Sequence, residues 1–277
     1  MIDNISNLIV NALREDIGSR DITTQLFIPG DKFIKAVFLA KEPCVICGLN
    51  VAQAVFKSLD RAVKFKALAR DGAFVKRGRI IARIEGRARS VLTAERVALN
   101  FLTRLSGIAT TTRKFVTRVR PYKVKIIDTR KTTPGLRLLE KYAVRTGGGF
   151  NHRLSLDEMI LVKDNHLKAL GGINKLPGSS RKYKTEIEVK NLKEFNQALK
   201  LQPDMIMLDN MGLGQIKKIV SIKRKLQRAK RKAPLLEASG GITLKNVKKV
   251  ASCGIDMISV GALTHSPDSA DISLEIL

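Results

Sequence analysis

The chain has 277 residues, 44% of them hydrophobic, and carries 51 Lys and Arg against 25 Asp and Glu. That is enough chain and enough apolar material for a large α/β domain plus a smaller one, and it excludes a generally disordered protein. The formal charge of +26 makes polyanion binding a reading to weigh, and three cysteines at this length exclude a disulfide-built fold.

No apolar run reaches the roughly 18 residues that a bilayer crossing needs. The opening MIDNISNLIVNALRED has an early Asp and no basic stretch ahead of an apolar one, so it does not read as a secretory signal. The expected compartment is the cytoplasm, with no membrane partner. The positive charge is spread along most of the chain. Its densest run, residues 217–232, carries Ile219, Val220 and Leu226 near helical spacing and reads as a surface helix. Trp is absent and aromatics are 5%, so stacking platforms for single strands are scarce, and no zinc-finger or RNP spacing is present. A dedicated nucleic-acid role is therefore not expected.

Residues 1–17 form an amphipathic helix with Ile5, Leu8, Ile9 and Leu13 on one face. The turn-rich GSRDITTQLFIPG then leads into a strand. Residues 33–48 and 62–85 alternate as half-buried strands do, with a helix over 50–58 between them. Together they predict a small α/β domain with an open sheet. Within it, Cys44 and Cys47 form a single CxxC in a strand-like apolar run, with no second pair and no histidine nearby, so they read as buried thiols. A long helix follows, with Ser90 as its cap and Gly107 as the point where it breaks or bends. Glu95 and Arg96 lie on it. Their plainer reading is a surface pair worth well under ~1 kcal/mol.

From about residue 122 the pattern becomes strand then helix, repeatedly. Strand candidates lie in residues 123–130, 158–165, 185–191, 204–210, 234–241 and 256–263, several of them nearly continuous apolar runs. This predicts a parallel barrel or doubly wound sheet, with a site at the C-terminal strand ends. Those ends carry Arg130 and Lys131, Lys163, Glu188, Asp209, Ser239-Gly240-Gly241 and Gly261-Ala262.

That order has chemical meaning. Arginine forks match the oxygens of a multiply charged anion two at a time. Two carboxylates at neighbouring strand ends hold sugar hydroxyls, or hold magnesium through water, and stabilise positive charge on an anomeric carbon. Gly-rich turns after late strands are a recurring phosphate cradle. Each motif alone is weak, since a GG turn is common and a solvated basic loop is the ordinary use of such charge. Jointly they describe an anionic acceptor, a phosphorylated sugar and a divalent cation. A barrel aldolase or decarboxylase with Lys131 or Lys163 as a Schiff base stays open, as does a relative with another acceptor.

The blocks EDIGSRDITT, ERVALNFLTRLSGIAT, DTRKTTPGLRLLEKYAVRTGGGFNHRLSLDEMILVKDNH, IEVKN, MLDNM, EASGGI and ISVGALTHS cover most of the chain. In them the sequence resembles the quinolinate phosphoribosyltransferase family. The resemblance implies an N-terminal open-sheet domain (1–112) and an incomplete, seven-stranded α/β barrel (113–277), whose last residues pack back on the first domain. It implies transfer of phosphoribose from phosphoribosyl pyrophosphate to quinolinate, with loss of carbon dioxide, giving nicotinate mononucleotide for NAD biosynthesis. It also implies Mg2+ and at least a homodimer with sites shared between subunits.

Residue by residue, the resemblance assigns the quinolinate carboxylates to Arg130, Arg153 and Lys163, with His152 and Thr129 beside them. Arg96 would enter the neighbouring subunit's site. Lys131 would act on the dianion or the departing pyrophosphate. Glu188 and Asp209 would face the ribose and hold magnesium. Ser239, Gly240, Gly241, Val260, Gly261 and Ala262 would bind the 5-phosphate, and Asn165 and His166 would support the site from behind. One departure is Lys190, where an acid is expected; two positions after Glu188, it should share that strand face.

Overall fold

The computed structural model describes residues 2–178, 180 and 182–277. In chain order the elements begin α1 (Ile2–Ile17), α2 (Ile22–Phe27), β1 (Phe33–Ala40), β2 (Cys44–Val45), α3 (Leu49–Leu59), β3 (Lys64–Ala67), β4 (Phe74–Val75), β5 (Ile80–Arg87) and α4 (Ala88–Val119). Then come β6 (Lys125–Ile127), α5 (Arg137–Thr146), β7 (Ile160–Val162), α6 (Asp164–Leu170), β8 (Thr185–Val189), α7 (Leu192–Lys200), β9 (Met205–Asp209) and α8 (Leu213–Arg228). The last are β10 (Leu235–Ser239), α9 (Val247–Ala251), β11 (Met257–Ser259), α10 (Ala262–His265) and β12 (Ile272–Ile276). They divide into two compact units, one of residues 1–111, 134–148 and 267–277 and one of residues 112–133 and 149–266.

The first unit contains a four-stranded antiparallel sheet in the order β12-β1-β5-β3, with β2 and β4 paired separately. Its core includes Phe38, Phe56, Ile81, Ile84 and, from α4, Leu102 and Leu105, all fully buried or nearly so. Cys44 and Cys47 are buried free thiols. Burial pushes them up to about 11 and about 12, so both stay protonated and neither is a ready metal ligand or nucleophile. Asp71 accepts from the backbone N–H groups of Gly48 and Leu49 at the start of α3 and from the Tyr142 hydroxyl at 2.8 Å. Arg104 of α4 donates to the fully buried Glu140 of α5 at 2.7 Å.

Two local expectations are corrected in this unit, and one short helix is added. The segment after Gly18 leads into β1 as expected but forms α2 on the way, because Asp21 caps it: Oδ1 accepts the Thr24 N–H at 2.9 Å and Oδ2 the Thr93 hydroxyl at 2.9 Å. Ser90 does not cap the long helix. The chain turns from β5 directly into α4 at Ala88, and the Ser90 hydroxyl donates to Asp60 instead. Gly107 does not break the helix, which runs on to Val119. It is there for space: a Cβ at that position would sit 2.0 Å from the Asp268 carbonyl oxygen.

The second unit is a parallel sheet in the order β6-β11-β10-β9-β8-β7, with helices between successive strands. Among the described residues, six strands form this ladder where seven were expected. The seventh place is a single parallel bridge, Ile127 to Phe150, in which the Phe150 N–H donates to Ile126 O and the Asp128 N–H to Phe150 O. One face of the sheet carries Ile126, Ile187, Val189, Ile206, Leu208, Leu236, Ala238 and Ile258, all buried and apolar. The opposite face carries the polar residues described below.

The tight approach at Gly107 yields a test. Gly107→Ala should gain helix propensity yet lose stability by roughly 1–3 kcal/mol, because backbone must move to admit the methyl. Denaturant unfolding of the two proteins measures it; an unchanged or raised midpoint would contradict the close packing.

Candidate active site

Strand alternation builds the site. Residues paired across a parallel ladder point to one side, so the register Leu161–Glu186, Glu188–Met207–Glu237–Met257 and Asp209–Ser239 collects these side chains on a single face. That face opens into a cavity of about 830 Å³ lined by Leu161, Lys163, Glu188, Met207, Asp209, Glu237, Ser239, Ser259 and Gly261, among others. It belongs wholly to the second unit and lies at the C-terminal strand ends, where open α/β sheets bind ligands.

The cations enter from β6, from the bridge strand and from β7. Thr129, Arg130, Lys131, His152, Arg153 and Lys163 all line the cavity. Lys131 is anchored by its backbone: its carbonyl accepts the Thr264 hydroxyl at 2.7 Å, and its N–H donates to Thr129 Oγ1 at 3.1 Å. Arg153 is buried, and one terminal nitrogen donates to Met159 O at 2.9 Å. Burial and the nearby Arg130 guanidinium both press its pKa downward. The Nε atoms of Arg130 and Arg153 are buried without a hydrogen-bond partner. Two guanidinium groups held close with unspent donors are a seat for an anion.

The acids enter from β8 and β9. Glu188 and Asp209 line the same cavity from adjacent strands. Burial raises the Glu188 pKa, and the like charge of Asp209 raises it further, with Lys163 opposing. A like charge beside Glu188 is relieved by a cation between the two carboxylates, so the pair fits a divalent ion held directly or through water.

The turns after β10 and β11 supply Ser239, Gly240, Gly241, Gly261 and Ala262 to the cavity wall. Gly240 (φ 89°) and Gly241 (φ 59°) use the left-handed backbone region. A Cβ on Gly240 would lie 2.2 Å from the Asn210 side-chain oxygen, so glycine is needed twice over there.

Some sequence-predicted residues lie elsewhere. Arg96 is exposed on α4 in the first unit and does not line this cavity. Val260 points to the buried apolar face, its N–H donating to Ile127 O at 3.0 Å. Lys190 stands just past the end of β8 and does not line the cavity; its ammonium pairs with Asp164 at 3.1 Å. His166 lines the wall and accepts the Lys163 N–H on Nδ1 at 2.9 Å.

Other residues were not singled out from sequence. Asn210, Thr243 and His265 line the cavity. Asp128, fully buried, accepts from the Asn151 amide and from the His152 N–H at 2.8 Å. Glu186 and Glu237 are fully buried acids beside His152. Each sits two residues before a strand-end group, which was the available signal.

Comparison with known proteins matches this arrangement. Residues 21–106 match the family described as "Quinolinate phosphoribosyl transferase, N-terminal domain", and residues 108–275 its C-terminal domain. A Synechocystis protein named "Probable nicotinate-nucleotide pyrophosphorylase [carboxylating]" is 43% identical, covering 96% of this chain and 90% of its own. A Mycobacterium leprae protein named "Nicotinate-nucleotide pyrophosphorylase [carboxylating]" is 40% identical, covering 99% of this chain and 98% of its own. The solved nicotinate-nucleotide pyrophosphorylase of Francisella tularensis superposes with a TM-score of 0.90 at 40% identity, covering 99% of this chain and 96% of that one. The chain belongs to the quinolinate phosphoribosyl transferase family.

Proposed function

We propose that this protein transfers the phosphoribosyl group of phosphoribosyl pyrophosphate to quinolinate. Carbon dioxide and pyrophosphate leave, and nicotinate mononucleotide is formed for NAD biosynthesis. The observation that carries the reading is the pair of buried guanidinium groups, Arg130 and Arg153, with unspent Nε donors in a cavity that also holds Glu188 and Asp209. A dicarboxylate satisfies the first pair. A ribose that becomes cationic as its leaving group departs suits the second.

In this reading Arg130, Arg153 and Lys163 hold the two carboxylates and aim the pyridine nitrogen at C1 of the ribose. Ser239, Gly240, Gly241, Gly261 and Ala262 hold the 5-phosphate and fix the sugar at the other end. Glu188 and Asp209 stabilise positive charge at C1 in an oxocarbenium-like state, and Lys131 balances charge on the departing pyrophosphate. Magnesium, held by Glu188 and Asp209, supplies further charge neutralisation for the pyrophosphate when bound. Once the nitrogen is alkylated, its positive charge adjoins C2 and stabilises the electron pair left by decarboxylation, so no prosthetic group is needed.

The working unit in this proposal is a homodimer or larger, with Arg96 entering the partner's cavity; its exposure on α4 supports this. The reaction is assigned to the cytoplasm. No helix among the described residues is long and apolar enough to cross a membrane.

Release of labelled carbon dioxide from quinolinate should require phosphoribosyl pyrophosphate and magnesium together. Release without them, or quinolinate that fails to bind, would remove the assignment. Arg153→Ala should raise the quinolinate KM roughly 10- to 100-fold, the loss of one charge-assisted contact of about 1.5–3 kcal/mol, with the fold intact by circular dichroism. Arg96→Ala and Lys131→Ala should each be inactive alone, yet recover activity when mixed under conditions that exchange subunits. Mixed dimers with no activity would contradict site sharing.

A further inference from the structure

The acid that must protonate C2 after carbon dioxide leaves is not among the residues assigned above. Glu237 lies at the bottom of the cavity on β10, with its side chain fully buried. Both of its carboxyl oxygens, and Oε1 of Glu186 on β8, are buried without a hydrogen-bond partner. Glu186 Oε2 is 2.9 Å from His152 Nε2, and Glu237 Oε2 is 3.6 Å from the same nitrogen. The three groups gather within 4.8 Å.

The imidazole tautomer is fixed. The Arg153 backbone N–H donates to His152 Nδ1 at 2.8 Å, so Nδ1 is an acceptor and the ring hydrogen is on Nε2. That hydrogen goes to Glu186, the nearer acid, and leaves beside Glu237 the Ser259 hydroxyl, which also reaches Ala238 O at 3.5 Å. Arg153 and Lys163 bear on Glu186, with Glu188 as an opposing like charge. The groups facing Glu237 are Glu186, the His152 ring and the Ser259 hydroxyl, with no lysine or arginine among them. Ionised carboxylates only accept hydrogen bonds, and buried acceptors without donors are costly. One proton placed between the two carboxyls supplies the missing donor. Burial pushes the Glu237 pKa well above the usual carboxylate range, and Glu186 raises it further.

Building on the reaction proposed above, we infer that Glu237 is the carboxylic acid that returns a proton to C2. The bond between C2 and its carboxylate breaks, and the electron pair stays on C2 beside the pyridinium nitrogen. Carbon dioxide departs. The Glu237 O–H bond then breaks and its proton bonds to C2, leaving Glu237 as a carboxylate. Solvent entering the cavity reprotonates it after product release. A dianionic substrate disfavours an ionised Glu237 still more. Where pH has removed the proton beforehand, quinolinate binding takes it back up.

Titration calorimetry of quinolinate into the full chain, in buffers of different ionisation enthalpy and from neutral to alkaline pH, reads this directly. Uptake should be near zero at neutral pH, where the raised acid already holds its proton, and should rise toward about one proton per site as pH increases. Glu237→Gln should bind quinolinate without that uptake and keep its KM, while kcat falls about 100-fold or more, since an amide fills the space but cannot donate the proton as an acid does. Binding without uptake at any pH would overturn the inference, and this needs no variant. So would uptake that persists in Glu237→Gln, a variant kcat near that of the native chain, or a stoichiometric metal ion on His152, Glu186 and Glu237 in the purified protein. Absence of quinolinate binding would instead remove the proposed function itself, and the inference with it.

Discussion

The buried carboxylate of Asp128 fixes the cavity's cationic wall. It stands at the end of β6 and accepts from the Asn151 amide and the His152 backbone N–H. These bonds tie the loop after Phe150 to the sheet edge, beside the one parallel bridge that extends the ladder. With residue 152 fixed, the Arg153 N–H reaches the imidazole and sets its tautomer. The imidazole in turn reaches Glu186, and the Arg153 side chain is brought to Arg130. Thus one carboxylate with no direct part in the proposed chemistry orients the histidine and both arginines that have one. Losing it would take the acceptor from the His152 N–H and the Asn151 amide, a cost that offsets the desolvation of the buried acid.

The cavity is unfavourable as it stands and favourable once filled. Arg130 and Arg153 hold buried donors without acceptors, while Glu186 and Glu237 hold buried acceptors without donors. Folding tolerates both because the hydrophobic face of the same sheet is almost wholly buried, and its stabilisation exceeds such local costs. The mismatch is useful. A ligand bearing two carboxylates meets donors already in position, and little side-chain ordering remains to oppose binding.

Sequence made the strand ends legible because each apolar run stops at a polar group: Lys163, Glu188, Asp209 and Ser239 all line the cavity. The family-specific blocks made the chemistry legible. What lay outside that reading depended on tertiary packing. Gly107 looks like a helix breaker until the Asp268 carbonyl is found against it. Ser90 looks like a cap because nothing local shows that β5 runs straight into α4. Lys190 has the spacing of a cavity residue but lies beyond the last ladder pair and turns to Asp164. Glu186 and Glu237 looked like interior strand positions, and only the register places them on the polar face.

That register also sorts the acids by depth. On one face, Glu186 lies below Glu188, Met207 below Asp209, Glu237 below Ser239 and Ser259 below Gly261. Glu188, Asp209 and Ser239 are half-buried at the rim, while Glu186, Met207, Glu237 and Ser259 are buried. Residue type is therefore less decisive than position along the strand. At the rim the Lys163 charge opposes the rise that burial and Asp209 give the Glu188 pKa, and the half-buried carboxyl suits a cation or a sugar hydroxyl. One pleat deeper, burial raises the pKa of both Glu186 and Glu237; Arg153 and Lys163 oppose the rise at Glu186, and the His152 ring and the Ser259 hydroxyl oppose it at Glu237. One alternating pattern thus places Glu188 at the cavity rim and Glu186 and Glu237 deeper, in distinct electrostatic surroundings. In the proposed reaction the sugar, which becomes cationic, meets Glu188 and Asp209. The ring carbon that becomes an anion meets Glu237.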